Sequence, residues 1–145
     1  MILADEDKTR AAGGALASRL QAGDIVTLEG PLGIGKTTFV RGLLEALGHR
    51  GEVPSPSFAI VQPYEELDPP VWHADLYRID DPAELDELGL ESILENGVLL
   101  VEWPSHAGEG FFVDALALSL EPLPDGARRL TARVPSSWQG RWPFP

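Results

Sequence analysis

Gly30-Pro31-Leu32-Gly33-Ile34-Gly35-Lys36-Thr37 satisfies the pattern G-x-x-x-x-G-K-[ST]. Four constrained positions match by chance in only about one chain in a few hundred at average residue frequencies. The context also fits. Ile25, Val26 and Leu28 form a short apolar run of strand type before the loop, and Phe39, Val40, Leu43, Leu44 and Leu47 recur at helical spacing after it, with Gly48 as a C-terminal stop. Strand, glycine-rich turn and helix together make a phosphate cradle. Gly33 and Gly35 allow backbone conformations that a side chain would forbid, so amide N–H groups can turn inward. The helix start adds a positive dipole end, Lys36 adds a charge for the β- and γ-phosphates, and the Thr37 hydroxyl suits a magnesium ion. The alternative reading of the same stretch is a strand-to-helix turn that binds nothing.

Outward from the loop, residues 7–21 read as an amphipathic helix with Ala12, Ala15, Leu16 and Leu20 near one face. Residues 51–56 are rich in Gly, Pro and Ser and read as a loop. Phe58–Tyr64 and Val71–Ile79 read as strands joined by a link too short for a crossover helix, which makes the pair antiparallel. Asp81-Pro82 opens a short acidic helix that stops near Gly89. Val98–Trp103 suits a buried strand. Ala115–Leu120 and Leu130–Val134 read as a closing hairpin, and Pro135–Pro145 as an irregular tail. The expectation is an α/β protein: a single P-loop NTPase domain over residues 1–145, with a mixed parallel and antiparallel sheet and flanking helices.

Composition narrows the chemistry. Hydrophobic residues make up 43% of the 145 residues and charged residues 23%, values that support one ordinary core. There is no cysteine, which removes disulfides, thiolate metal sites and cysteine nucleophiles. A net charge of -12 repels phosphate backbones, so neither DNA nor RNA is an expected autonomous ligand. The first residues lack a basic start followed by an apolar run, and no stretch approaches the roughly 20 apolar residues that span a bilayer. The expected location is the cytoplasm, with no membrane association.

A phosphate loop needs an acidic partner that holds magnesium or orients water. Asp75, within Val71-Trp72-His73-Ala74-Asp75, and Glu102, at the end of Val98-Leu99-Leu100-Val101-Glu102, are the candidates. A carboxylate at the end of a buried strand is costly without a partner, and the metal is one such partner. A salt bridge, for example between Asp75 and Arg78, is the plainer alternative. Ser55 or Ser57, in Ser55-Pro56-Ser57-Phe58, stands where a switch segment would contact the γ-phosphate side, or marks an ordinary Ser-Pro turn. Trp103 either packs in the core or shields the nucleotide, and His73 reads equally as a packing or a functional residue. Asp80, Asp81, Glu84, Asp86, Glu87 and Glu91 form a solvated acidic face or a partner surface.

Taken together, Leu28-Glu29-Gly30 through Thr38-Phe39 with Arg41-Gly42, then Ser55-Pro56-Ser57-Phe58, His73-Ala74-Asp75-Leu76-Tyr77-Arg78 and Val101-Glu102-Trp103-Pro104, resemble the TsaE (YjeE-like) ATPase family of tRNA threonylcarbamoyladenosine biosynthesis. The resemblance covers residues from about 5 to 104. It implies a small bacterial protein that binds ATP or ADP with Mg2+ and hydrolyses ATP weakly alone. It also implies association with TsaD and TsaB, so that tRNA is met only through the complex. On this pattern Lys36, Asp75 and Glu102 are the catalytic set. Thr37 and Glu102 are magnesium ligands, and Asp75 takes the acidic role near metal and water. Nucleotide contacts fall to Gly30, Leu32, Gly33, Ile34, Gly35, Lys36, Thr37, Thr38, the switch residue Ser57, and Trp103, with weaker local matches at Thr9 and Arg129. The sequence departs from the family pattern in having Pro31 for the usual Asp, Ile34 for a small residue and Ser57 for the switch Thr; the first two bear on nucleotide affinity. Two other readings stay open: a P-loop kinase for a small molecule or nucleoside, and a nucleotide-dependent binding module without turnover. No Asn-Lys-x-Asp guanine signature occurs, which favours adenine.

Overall fold

The computed structural model describes residues 1–54, 61–108 and 110–144. Chain order runs β1 (Ile2–Leu3), α1 (Glu6–Ala17), β2 (Ile25–Glu29), α2 (Lys36–Ala46), β3 (Val61–Tyr64), β4 (Val71–Asp75), a 3-10 turn (Pro82–Leu88), α3 (Leu90–Leu94) and β5 (Val98–Glu102). A second 3-10 turn (Pro104–Ala107), β6 (Leu116–Pro122), β7 (Arg128–Arg133) and a third 3-10 turn (Ser136–Trp138) complete it.

Among the described residues the strands form one sheet in the order β1-β7-β6-β2-β5-β4-β3. Its centre, β6-β2-β5-β4, is parallel, and the margins are antiparallel through β6/β7, β1/β7 and β3/β4. Parallel strands are buried on both faces, and β5 is buried at every residue. Pro63, which cannot donate to a ladder, falls on the edge strand β3. The sheet separates two apolar clusters. On one face Val26, Leu28, Leu100 and Leu118 pack with Leu16 of α1 and Phe39, Val40, Leu43 and Leu44 of α2. On the other, Leu99 and Val101 pack with Leu76, Leu85, Leu90 and Ile93.

Register sets the site. Leu28 of β2 pairs with Glu102 of β5, and Glu102 pairs with Asp75 of β4. These three residues form one row at the carboxyl ends of the parallel strands, where open α/β sheets bind ligands. The row adjoins the turn that leaves β2 for α2.

Several element ends differ from the sequence expectation, each for a local reason. The first helix stops at Ala17, not residue 21, because Arg19 and Leu20 bond back to Leu16 and Ala17 in a tighter turn. β4 stops at Asp75, not Ile79, because the Asp75 carboxylate accepts the Tyr77 amide at 2.9 Å and turns the chain out of the ladder. The acidic segment forms a 3-10 turn capped by Asp81, which accepts the Ala83 amide at 3.0 Å. Its charged side chains face solvent while Leu85 is buried. The strand β1 is too short to carry a pattern and gains its place by pairing with β7. The C-terminal tail packs on the core. Trp138 is 1% exposed within the first apolar cluster. Arg141 stacks over its ring at 4.1 Å and pairs with Asp24 at 2.8 and 3.0 Å. Those hydrogen bonds push the Arg141 guanidinium further up from its already high range.

α1 and α2 pack closely because Gly42 has no side chain: a Cβ there would lie 2.0 Å from the Arg10 carbonyl oxygen. Gly42→Ala is expected to lower stability by about 1–3 kcal/mol through overpacking, read as a lower urea midpoint. Trp138→Ala should cost about 3–5 kcal/mol by leaving a cavity under the tail. A midpoint unchanged by that substitution would mean the tail does not belong to the folded core.

Candidate functional site

The loop between β2 and α2 is shaped by backbone before side chains. Gly35, the N-cap of α2, adopts φ 118°, a left-handed conformation, and places no side-chain cap on the helix. The first amides of α2 are therefore left for another acceptor, at the positive end of the helix dipole. A Cβ on Gly35 would also meet the Arg128 guanidinium at 2.8 Å. That guanidinium donates from Nη1 to the Ile34 carbonyl at 2.8 Å, bracing the loop from β7.

A cleft of about 310 Å³ opens over this loop, lined by Leu32, Gly33, Gly35, Lys36, Thr37 and Thr38, and on the far side by Asp75, Glu102, Trp103 and Glu6. Lys36 is 5% exposed. Its ammonium donates to the Gly30 carbonyl and to the Pro31 carbonyl at 3.1 Å, and lies 4.0 Å from the centre of the Trp103 ring. Burial draws the Lys36 pKa below the usual lysine range, while the charges of Glu102, Glu29 and Asp75 draw it back up. Opposite, Thr37 Oγ1 lies 3.3 and 3.2 Å from Oε1 and Oε2 of Glu102. Asp75 and Glu102 are 5% and 3% exposed, and both reach the cleft.

The remaining sequence candidates divide. Gly30 and Ile34 shape the loop from behind. The Ile34 side chain is turned into the apolar core, so its bulk does not enter the cleft. Thr9 is fully buried and its hydroxyl donates to the Asp5 carbonyl at 2.9 Å, which places it under the loop and outside the cleft. Arg129 is exposed on β7. Its neighbour Arg128 shares the inner face with buried Leu130, as strand alternation requires, and is the arginine that reaches the loop. Ser55 and Ser57 lie outside the described residues. Trp103 stands at the cleft wall with φ 58°, a strained conformation for a large side chain, and its ring contacts Tyr77 and His106 at 4.9 and 5.6 Å.

One cleft residue escaped the sequence reading, and one buried residue was left open by it. Glu6, at the start of α1, borders the cleft, and only its place in a first helical turn distinguished it. His73 is fully buried with Nε2 2.6 Å from Glu102 Oε2. Its alternation with Asp75 was the available signal.

The donor set suits magnesium. Hydroxyl and carboxylate oxygens are hard ligands, and an octahedral ion at about 2.0–2.1 Å sets neighbouring ligand oxygens about 3 Å apart. Thr37 Oγ1 and the Glu102 oxygens already stand 3.2–3.3 Å apart. No cluster of three or more His, Cys, Asp or Glu suited to a metal occurs among the described residues, so protein ligands alone would leave most coordination positions open. That is how magnesium is usually held beside phosphates.

Comparison with known proteins places the chain in a family. A family model described as "Threonylcarbamoyl adenosine biosynthesis protein TsaE" matches residues 3–130, which takes in β6 and ends within β7. The chain is 43% identical over 115 residues to a tRNA threonylcarbamoyladenosine biosynthesis protein TsaE of Streptomyces coelicolor, covering 77% of this chain and 78% of that protein. It is 37% identical over 126 residues to the protein of that name in Bacillus subtilis, covering 86% and 78%. The crystal structure of Bacillus subtilus YdiB superposes with a TM-score of 0.79 at 32% identity, over 94% of this chain and 85% of that one. The mixed sheet, the loop and the matched sequence lead to one assignment: this chain has the α/β fold of P-loop NTPases and belongs to the TsaE family of tRNA threonylcarbamoyladenosine biosynthesis.

Proposed function

We propose that this protein binds ATP with Mg2+ and hydrolyses it as the nucleotide-driven subunit of the bacterial t6A machinery, acting with TsaD and TsaB in the cytoplasm. The observation that carries the reading is the Thr37–Glu102 contact at the mouth of the phosphate loop, with Asp75 in the same row.

The uncapped start of α2 and the loop amides receive the β- and γ-phosphates. Lys36 leaves the Gly30 and Pro31 carbonyls, which it engages in this structure, and turns to the phosphates, a stronger charge-assisted partner. Thr37 and Glu102 would hold Mg2+, which would supply neutralisation of the phosphate charge. Asp75 sits beside Glu102 and orients the attacking water. Trp103 walls the cleft against bulk solvent, strengthening the electrostatic contacts inside.

On this reading the isolated protein turns over slowly. Among the described residues that line the cleft, Lys36 is the sole cation, and no arginine reaches into it. Transition-state charge on a transferring phosphoryl group is commonly stabilised by a further arginine, worth about 10³–10⁵ in rate. A partner that adds such a group, or closes the cleft, would raise the rate. The acidic balance of the chain, net -12, supports action through protein partners and not direct grip on tRNA or DNA. No helix among the described residues is long and apolar enough to cross a membrane.

The test is multiple-turnover tRNA modification with purified TsaD, TsaB and ATP. Lys36→Ala and Glu102→Gln should each reduce turnover by about 10² or more, the usual cost of removing a positioned charge from a transition state. ATP should bind more tightly than GTP. Undiminished modification by either variant would refute the proposal.

A further inference from the structure

His73 stands in an otherwise apolar position. The register aligns Val26, Leu100 and His73 in one row, on the sheet face that α2 covers. It lies two residues before Asp75, so both point to that face. His73 is 0% exposed, and its Nε2 is 2.6 Å from Glu102 Oε2. Its Nδ1 is buried and has no hydrogen-bond partner among the described residues. A proton on Nδ1 would be a buried donor without an acceptor, whereas a proton on Nε2 is directed at a carboxylate. The geometry therefore selects the tautomer with hydrogen on Nε2.

We infer that His73 is a positioning residue for Glu102: it ties down Oε2 from inside the sheet and leaves Oε1, which stands 3.3 Å from Thr37 Oγ1, available to an ion. This inference rests on the proposed role of Glu102 as a magnesium ligand. Glu102 ends a strand buried on both faces, and a carboxyl group at 3% exposure needs hydrogen-bond partners there. Thr37 has one hydroxyl hydrogen, which it donates in a hydrogen bond to the carboxylate only while no ion takes both oxygens. His73 is the donor that stays. It fixes the glutamate side chain before an ion arrives, as hydrogen-bonded groups behind metal ligands do. His73 is too deep to bind the ion itself. Its contribution is to the orientation of Glu102, and the phosphates are untouched by it.

The experiment titrates Mn2+ into the protein–ADP complex and follows free Mn2+ by electron paramagnetic resonance, with ADP affinity in EDTA measured alongside. Glu102→Gln reports on the underlying reading. If it binds Mn2+ as tightly as the wild type, Glu102 is not a ligand and the proposed function loses its metal site. With that ligand established, His73→Phe should weaken Mn2+ binding roughly 10–100-fold and leave metal-free ADP affinity within about twofold. His73→Gln, whose amide reaches the place of Nε2, should restore most of the loss, and His73→Asn, which is too short, should not. Wild-type Mn2+ affinity in His73→Phe would overturn the inference. Should His73→Phe fail to fold by circular dichroism, the Gln and Asn variants decide it, and equal Mn2+ affinity in those two overturns it.

Discussion

A hydroxyl at the start of α2 meets a carboxylate at the end of β5, with Thr37 Oγ1 3.2 Å from Glu102 Oε2 across 65 residues of sequence. The rest of the molecule serves to bring these two groups together. Glu102 is where it is because β5 is a run of five buried residues whose last member is an acid, and because parallel pairing with β2 and β4 sets Leu28, Glu102 and Asp75 in one row. Thr37 is where it is because Gly35 turns the chain into α2 directly after β2. An acid in this position would be a liability in a structural protein, since a buried carboxylate costs several kcal/mol without partners. Here it has two partners: His73 Nε2 at 2.6 Å from Oε2, and the Thr37 hydroxyl at 3.3 and 3.2 Å from Oε1 and Oε2.

The loop itself is held from several directions. Ile34 anchors it in the core, Arg128 binds its backbone from β7, and Lys36 closes on the Gly30 and Pro31 carbonyls. The lysine contact satisfies the ammonium and ties the start of α2 back to the loop's first residues. Behind it, α1 and α2 approach through Gly42, and the tail is locked by Trp138 and the Arg141–Asp24 pair. The residues that lock the fold, the glycine contact and the tail, are thus separate from the row at the strand ends proposed to serve the site.

Much of this was legible in sequence where the signal was local. The loop, the strand before it, the apolar run of β5 with its terminal acid and the antiparallel β3/β4 pair follow from spacing alone. So does the closing hairpin of β6 and β7. What was not legible depends on which way a side chain turns in three dimensions. Ile34 reads as an obstruction in a phosphate loop but points inward. Arg128 and Arg129 are equivalent in composition, and only the inner face shared with Leu130 separates them. Trp138 lies in a segment without periodicity, and its burial comes from contacts with distant elements. His73 is a lone histidine in a strand until the register brings it to Glu102.

The central claim is that Thr37 and Glu102 form one side of a magnesium site beside the phosphate loop. Crystals grown with a non-hydrolysable ATP analogue and Mn2+, measured at the manganese absorption edge, test it most directly. The account predicts a single anomalous peak about 2.2 Å from both Thr37 Oγ1 and Glu102 Oε1, with Lys36 moved from the Gly30 carbonyl to the phosphates. A peak bound to the analogue but remote from Glu102, with the Thr37–Glu102 hydrogen bond intact, would contradict it.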